Sequence, residues 1–145
     1  MNVFSVKKYF TAGALYVLGF LGLLLATLCI SVVKSKNAAD FGTFMMVGAV
    51  IGGAVLLPIA AYYLIMGAVY RKKCAQHTPV MGVVSNWEIG FMRNTACICL
   101  KTTDGTEYKT SAVFGIAEAK EMVGKPILYA IVDEQLLVYE VKDDA

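Results

Sequence analysis

The chain has 145 residues, of which 58% are hydrophobic and only 17% charged, and its mean hydropathy is +0.64. That balance excludes a fully soluble globule, a disordered chain and a large enzyme. The net charge of +2 is unevenly spread: from Cys74 onward six Lys or Arg stand against ten Asp or Glu, and an acidic soluble portion argues against a nucleic-acid-binding surface, so no nucleic-acid partner is expected.

The hydropathy is concentrated in two runs, Phe10 to Val33 and Phe44 to Tyr70, which contain no Asp, Glu, Lys, Arg or His. Each exceeds the roughly 20 apolar residues that a helix needs to cross a bilayer. The first run, preceded by Lys7 and Lys8, is too long for a signal-peptide core, and Lys34 to Asp40 offers a poor cleavage site, so an uncleaved membrane helix is expected. Lys7, Lys8, Arg71, Lys72 and Lys73 flank one side of the pair, against Lys34 and Lys36 on the other. Basic flanks stay on the cytoplasmic side, which makes the chain an integral cell membrane protein with both termini in the cytoplasm. Tyr9, Phe10, Tyr16, Tyr62, Tyr63 and Tyr70 then gather toward the inner interface as an aromatic anchor.

The link from Lys34 to Thr43 is short enough to make residues 1–73 an antiparallel two-helix hairpin, with helices over 10–33 and 44–70. Helices associate in lipid through close backbone approach, which small residues permit. Gly48 and Gly52 form a G-x-x-x-G pair, and Gly19, Gly22 and Ala26 form a ridge on the first helix. These residues serve contact within the hairpin or between copies. Pro58 predicts a bend near Val55. With no ionisable group inside either run, two such helices from one subunit make a poor transporter on their own.

Residues 74–145 read as a separate soluble β domain. Val80 to Ser85 and Thr95 to Thr103 have strand composition, and Asp104-Gly105 predicts a type I′ hairpin turn into Thr106 to Val113. Ile116 to Val123, closed by Gly124, predicts one or two helical turns. Ile127 to Val132 and Leu136 to Val141 form a last hairpin across Asp133-Glu134-Gln135. Three strands, a helix and two strands is the order of a five-stranded OB-like barrel with one short helix; an open sheet and an SH3-like barrel are the competing arrangements.

A membrane hairpin followed by a β module with Met81-Gly-Val-Val84 at its start, Asp104-Gly-Thr-Glu-Tyr108 in the middle and Met122-Val-Gly-Lys-Pro-Ile-Leu-Tyr129 near its end resembles short NfeD-like membrane proteins. It is also similar to a bacterial group that pairs transmembrane helices with a small β domain. The resemblance implies a non-enzymatic, oligomeric membrane module partnered with other membrane proteins.

Four cysteines, at 29, 74, 97 and 99, are expected to be reduced in the cytoplasm. Cys97 and Cys99 point to one face of a strand, and with Cys74 and His77 they supply donor types for a tetrahedral zinc site. Alternatively the cysteines are small hydrophobes and His77 is a solvated linker residue. Glu118 and Glu121, with Lys120 and Lys125 nearby, read as an exposed charged face. No phosphate loop, dinucleotide fingerprint or metalloprotease motif is present, so no catalytic residue and no cofactor are expected. The segment Asn86 to Asn94 carries Trp87, Ile89, Phe91, Met92 and Arg93, types that interfaces favour. It reads either as a contact loop for lipid or a protein partner, or as a plug over the barrel end. The expected function is assembly, scaffolding or partner binding at the membrane; the alternative is a subunit of a homo-oligomeric channel or transporter.

Overall fold

A computed structural model describes residues 3–91 and 93–142. Helix α1 spans Phe4–Lys34 and α2 spans Ala38–Cys74, followed by strands β1 (Val80–Val83), β2 (Asn86–Ile89), β3 (Thr95–Lys101), β4 (Glu107–Lys109) and β5 (Phe114–Gly115), helix α3 (Ile116–Met122), and strands β6 (Pro126–Val132) and β7 (Gln135–Val141). Both long helices are long and apolar enough to cross a membrane. They outrun the charge-free segments at each end, and Ser35 to Asn37 alone separates them, a tighter link than Lys34 to Thr43. Asn37 allows this by capping α2: its Oδ1 accepts the Asp40 N–H at 2.8 Å.

The chain divides into two compact units, one from Phe10 to Met66 and the other combining the residues up to Tyr9 with those from Gly67 onward. In the first unit Leu15, Leu18, Leu25, Val50, Ile51 and Ile65 are exposed; helices apolar on all sides are at home in hydrocarbon. The two helices meet where side chains are missing. A Cβ at Gly13 would lie 2.7 Å from the Leu64 side chain, one at Gly48 2.5 Å from Thr27 Oγ1, and one at Gly52 2.7 Å from Leu23. Tyr16 stacks on Tyr63 with ring centroids 5.7 Å apart. Thr27 and Ser31 donate their hydroxyls to Leu23 and Thr27 carbonyls within α1, so these polar groups are satisfied without water.

In the second unit all strands join one mixed sheet in the order β1-β6-β7-β4-β3-β2, with β5 beside β3. The expected five-stranded closed barrel is therefore corrected to a seven-stranded open sheet. Two local events add the strands. Asn86–Ile89, expected as loop, pairs with β3 from Asn86↔Cys99 to Ile89↔Ala96. The expected strand Thr106 to Val113 breaks at Thr110, whose Oγ1 takes the Ile98 N–H at 3.0 Å in place of a backbone carbonyl; β4 ends there and β5 forms separately against Thr95 and Ala96. The two ends of the strand order are neighbours in sequence. Val84 donates its N–H to Lys125 and Ser85 donates to Cys99, so the chain passes from the β6 side to the β3 side within two residues.

The turns also differ from expectation. At Asp104-Gly105 only the glycine takes positive φ, at 87°. Gly105 donates to the Thr102 carbonyl at 3.0 Å, and Thr102 and Thr106 hydroxyls both bind the Asp104 carboxylate, so side-chain hydrogen bonds hold Asp104 out of the left-handed region that a type I′ turn requires. The two-residue turn with positive φ at both positions is Asp133-Glu134, at 52° and 64°. Gly124 has φ 82° and follows α3 as expected. The core gathers the inward residues of β3 (Ala96, Ile98, Leu100) with Val84, Phe114, Ile127, Tyr129, Leu136 and Val138 beneath Ala119 and Met122 of α3.

Candidate functional site

The ends of the two long helices are built into the β module. Val3, Val6 and Tyr9 of the first chain segment are buried at a spacing of three, with Phe4 and Lys8 on the neighbouring rows. Phe4 stacks on Phe114 at 5.9 Å between centroids, and Lys8 donates to Glu118 at 2.7 Å. Tyr9 and Tyr70 pack ring on ring at 5.4 Å. Their hydroxyls enter one polar cluster: Tyr9 donates to Ser111 Oγ, Ser111 donates to Gln135 Oε1 at 3.0 Å, and Tyr70 donates to the same Gln135 oxygen at 2.8 Å.

A bulge in β7 makes the other half of this clamp. The register between β6 and β7 shifts between Leu128 and Tyr129, pairing Leu128 with Glu140 and Tyr129 with Val138; Tyr139 is the extra residue. A bulge re-aims side chains and frees ladder groups. The Val138 N–H goes to Ser5 Oγ at 2.8 Å, and the Tyr139 hydroxyl donates to the Cys74 carbonyl at 2.7 Å. That carbonyl belongs to the last turn of α2, where helix acceptors lack intrahelical partners. Burial, then the contact with Cys74, push the Tyr139 phenol up from its ordinary value. Lys73 pairs with Asp133 at the β6–β7 turn.

His77 belongs to the same cap. Its Nδ1 lies 2.9 Å from the Lys73 carbonyl oxygen and its backbone N–H donates to Cys74. The proposed ligand set Cys74, His77, Cys97 and Cys99 is not assembled: among the described residues the one group of three or more metal-donor side chains is Glu88, Cys99 and Glu107. Lys109 already neutralises Glu88 at 2.7 Å. Cys97 and Cys99 do share a strand face, on the side of β3 opposite Ala96, Ile98 and Leu100. Burial, with Glu88 and Glu107 adding to it, pushes the Cys99 thiol up to about 11; burial and Glu88 raise Cys97 as well. Both stay protonated thiols near neutrality.

The Asn86 to Asn94 segment divides its roles. Trp87 packs against the core, with Lys120 Nζ 5.2 Å over its ring. Ile89 and Phe91 are exposed, Phe91 fully so, and Arg93 is exposed beside them; Met92 lies outside the described residues. In the helical unit Gly48 and Gly52 face α1, whereas a Cβ at Gly19 or Gly22 would meet nothing within 4 Å, and Ala26 is exposed.

The clamp residues Ser5, Tyr9, Ser111, Gln135 and Tyr139 are absent from the sequence-derived site. The available signal was the three-residue spacing of Val3, Val6 and Tyr9, continuing an apolar helix pattern into a segment whose lysines read as flanks. No protein-family model, curated protein or solved structure matches the chain.

Proposed function

We propose that the chain is a non-enzymatic integral membrane protein whose cytoplasmic β module serves assembly or partner binding at the membrane. The observation that carries this reading is the clamp: Ser5, Tyr9, Tyr70 and the Cys74 carbonyl are each hydrogen-bonded to the module. The helix-end residues are thereby ordered within the module itself. That suits a docking platform, because ordering costs are met before the partner arrives.

Two apolar regions support a partner-binding role. Met81 and Val83 on β1, at one end of the strand order, are exposed, and Ile89 and Phe91 project at the other. The open Gly19, Gly22 and Ala26 ridge supports contact with other membrane helices or a second copy, since small residues let backbones approach in lipid. The five-to-two excess of basic flanking residues supports the cytoplasmic placement.

Extraction of the full chain in mild detergent, with mass measurement and identification of co-purifying proteins, tests the proposal. The expected result is a defined oligomer or a membrane-protein partner that Met81→Lys with Val83→Lys, or Gly22→Leu, removes. A monomer carrying no partner would overturn it. Sidedness is read separately, with a thiol reagent applied to intact cells carrying a single cysteine at Ala38 or at Lys142; labelling at 38 and not at 142 is expected.

A further inference from the structure

We infer that the tip between β2 and β3, through Phe91, Ile89 and Arg93, is a lipid-contact element that enters the bilayer interface beside the helix ends. This rests on the membrane reading above and names the lipid surface as the tip's occupant. The geometry follows from the clamp. Tyr9 directly precedes one charge-free run and Tyr70 ends the other, so both stand where a hydrocarbon-length segment gives way to the basic flanks, and both are buried in the module there. Tyr9 donates to Ser111, so Ser111 is fixed at that level. The next residue, Ala112, touches the tip, because a Cβ at Gly90 would lie 2.5 Å from the Ala112 Cβ.

A second path leads to the same place. Thr95, at the far side of the tip, pairs with Gly115, and α3 begins at the next residue. Its Glu118 holds Lys8, one residue before Tyr9. The tip is therefore strapped on both sides to groups bonded to the start of α1. Gly90 closes it by donating to the Thr95 carbonyl at 2.8 Å, and Asn94 reverses the chain at φ 63°.

The chemistry of the tip differs from that of the rest of the module. Phe91 is fully exposed and Ile89 is 73% exposed, although Trp87, two residues earlier on the same strand face, is packed. Residues 89–95 contain no acid and one cation, Arg93, in a module with ten acids and six bases. An apolar pair with a single basic neighbour complements an anionic leaflet, where the rings leave water and the guanidinium meets phosphate.

The test uses the full chain reconstituted into phosphatidylcholine vesicles containing phosphatidylglycerol, with or without bromine on the acyl chains. Phe91→Trp adds one indole at an open site, and the emission it adds over native Trp87 is compared with that of Leu18→Trp in α1. Loss of most of the added emission at position 91 in brominated lipid is expected, together with a blue shift. Emission untouched by brominated lipid overturns the proposal: quenching by aqueous iodide would then place the tip in water, and shielding from both quenchers would place it against protein. Leu18→Trp separates the two levels of inference, since its escape from brominated lipid would remove the membrane reading itself, whereas its quenching with position 91 unaffected removes only the tip contact.

Discussion

Gln135, the first residue of β7, accepts the Tyr70 hydroxyl at 2.8 Å and the Ser111 hydroxyl at 3.0 Å on one amide oxygen. It also pairs through the backbone with Lys109 of β4 and Val132 of β6. One side chain thus ties the last turns of α2 to the centre of the sheet. Replacing it with Leu removes the acceptor of two half-buried hydroxyls, which costs about 1–3 kcal/mol. Tyr70→Phe removes one donor and costs about 1 kcal/mol. Because the two share one hydrogen bond, the double variant is expected to lose less than the sum, with a coupling of about 0.5–3 kcal/mol. Denaturant unfolding of the detergent-solubilised chain measures all three; strict additivity would mean that the hydrogen bond contributes nothing.

The glycines divide into two classes with opposite outcomes. Thr27 cannot swing away from a side chain at Gly48 without giving up its hydrogen bond to Leu23, and Gly52 is enclosed by Leu23 and Phe20. Gly48→Leu or Gly52→Leu should destabilise the hairpin by about 1–3 kcal/mol through overpacking. Gly19→Leu and Gly22→Leu enter open space and should leave hairpin stability within about 0.5 kcal/mol. If those two variants change the mass of the detergent-extracted particle while unfolding is unaltered, the ridge is a surface between subunits.

These contrasts show what could be read from the residues alone. The two long helices were legible because a charge-free run of this length has few other interpretations, and α3 and the β6–β7 hairpin were legible because helix formers and strand formers are sharply separated there. The helix ends were not. Lys7, Lys8, Arg71, Lys72 and Lys73 dominate their composition, while the decisive residues are Ser5, Tyr9 and Tyr70, whose partners lie 65 to 133 residues away in sequence. The strand count failed for a similar reason. Thr110 replaces a ladder hydrogen bond with its side chain and so divides one expected strand into β4 and β5, and Asn86–Ile89 is too short before Gly90 to show an alternation pattern of its own.

The turn at Asp133-Glu134 offers a stabilising substitution. Both residues have positive φ, a conformation that costs an L-residue roughly 1–2 kcal/mol. Glu134→Gly relieves it at one position, and the added freedom of glycine in the unfolded chain returns about 0.5–1 kcal/mol, which leaves a net gain below about 1 kcal/mol. Asp133 is kept because it holds Lys73. The reverse change, Gly105→Ala, forces a side chain into φ 87° and should lower the melting temperature. Equal melting temperatures for the two variants would remove this account of the turns.

The thiol of Cys99 gives the module a specific alkaline limit. Burial first, then Glu88 and Glu107, raise it from an ordinary 9.0 to about 11. A group that holds its proton more tightly when folded contributes stability that is full below the unfolded-state value and is lost as pH rises through the folded one. The loss therefore falls between about 9 and about 11. Lys109, whose ammonium is held charged chiefly by its hydrogen bond to Glu88, with the Cys99 thiolate adding to it, also loses its contribution at the alkaline end, and its main partner Glu88 is kept in a chain without the thiol. Cys99→Ala is thus expected to start lower, because a packed sulfur is gone, and to fall less steeply across that window in thermal unfolding followed by circular dichroism. In the native chain at neutral pH the same protonation state makes Cys99 inert to iodoacetamide, since the thiolate is the nucleophile. Parallel stability curves for the two chains, or labelling of Cys99 before unfolding, would show that the thiol is neither buried nor raised as described.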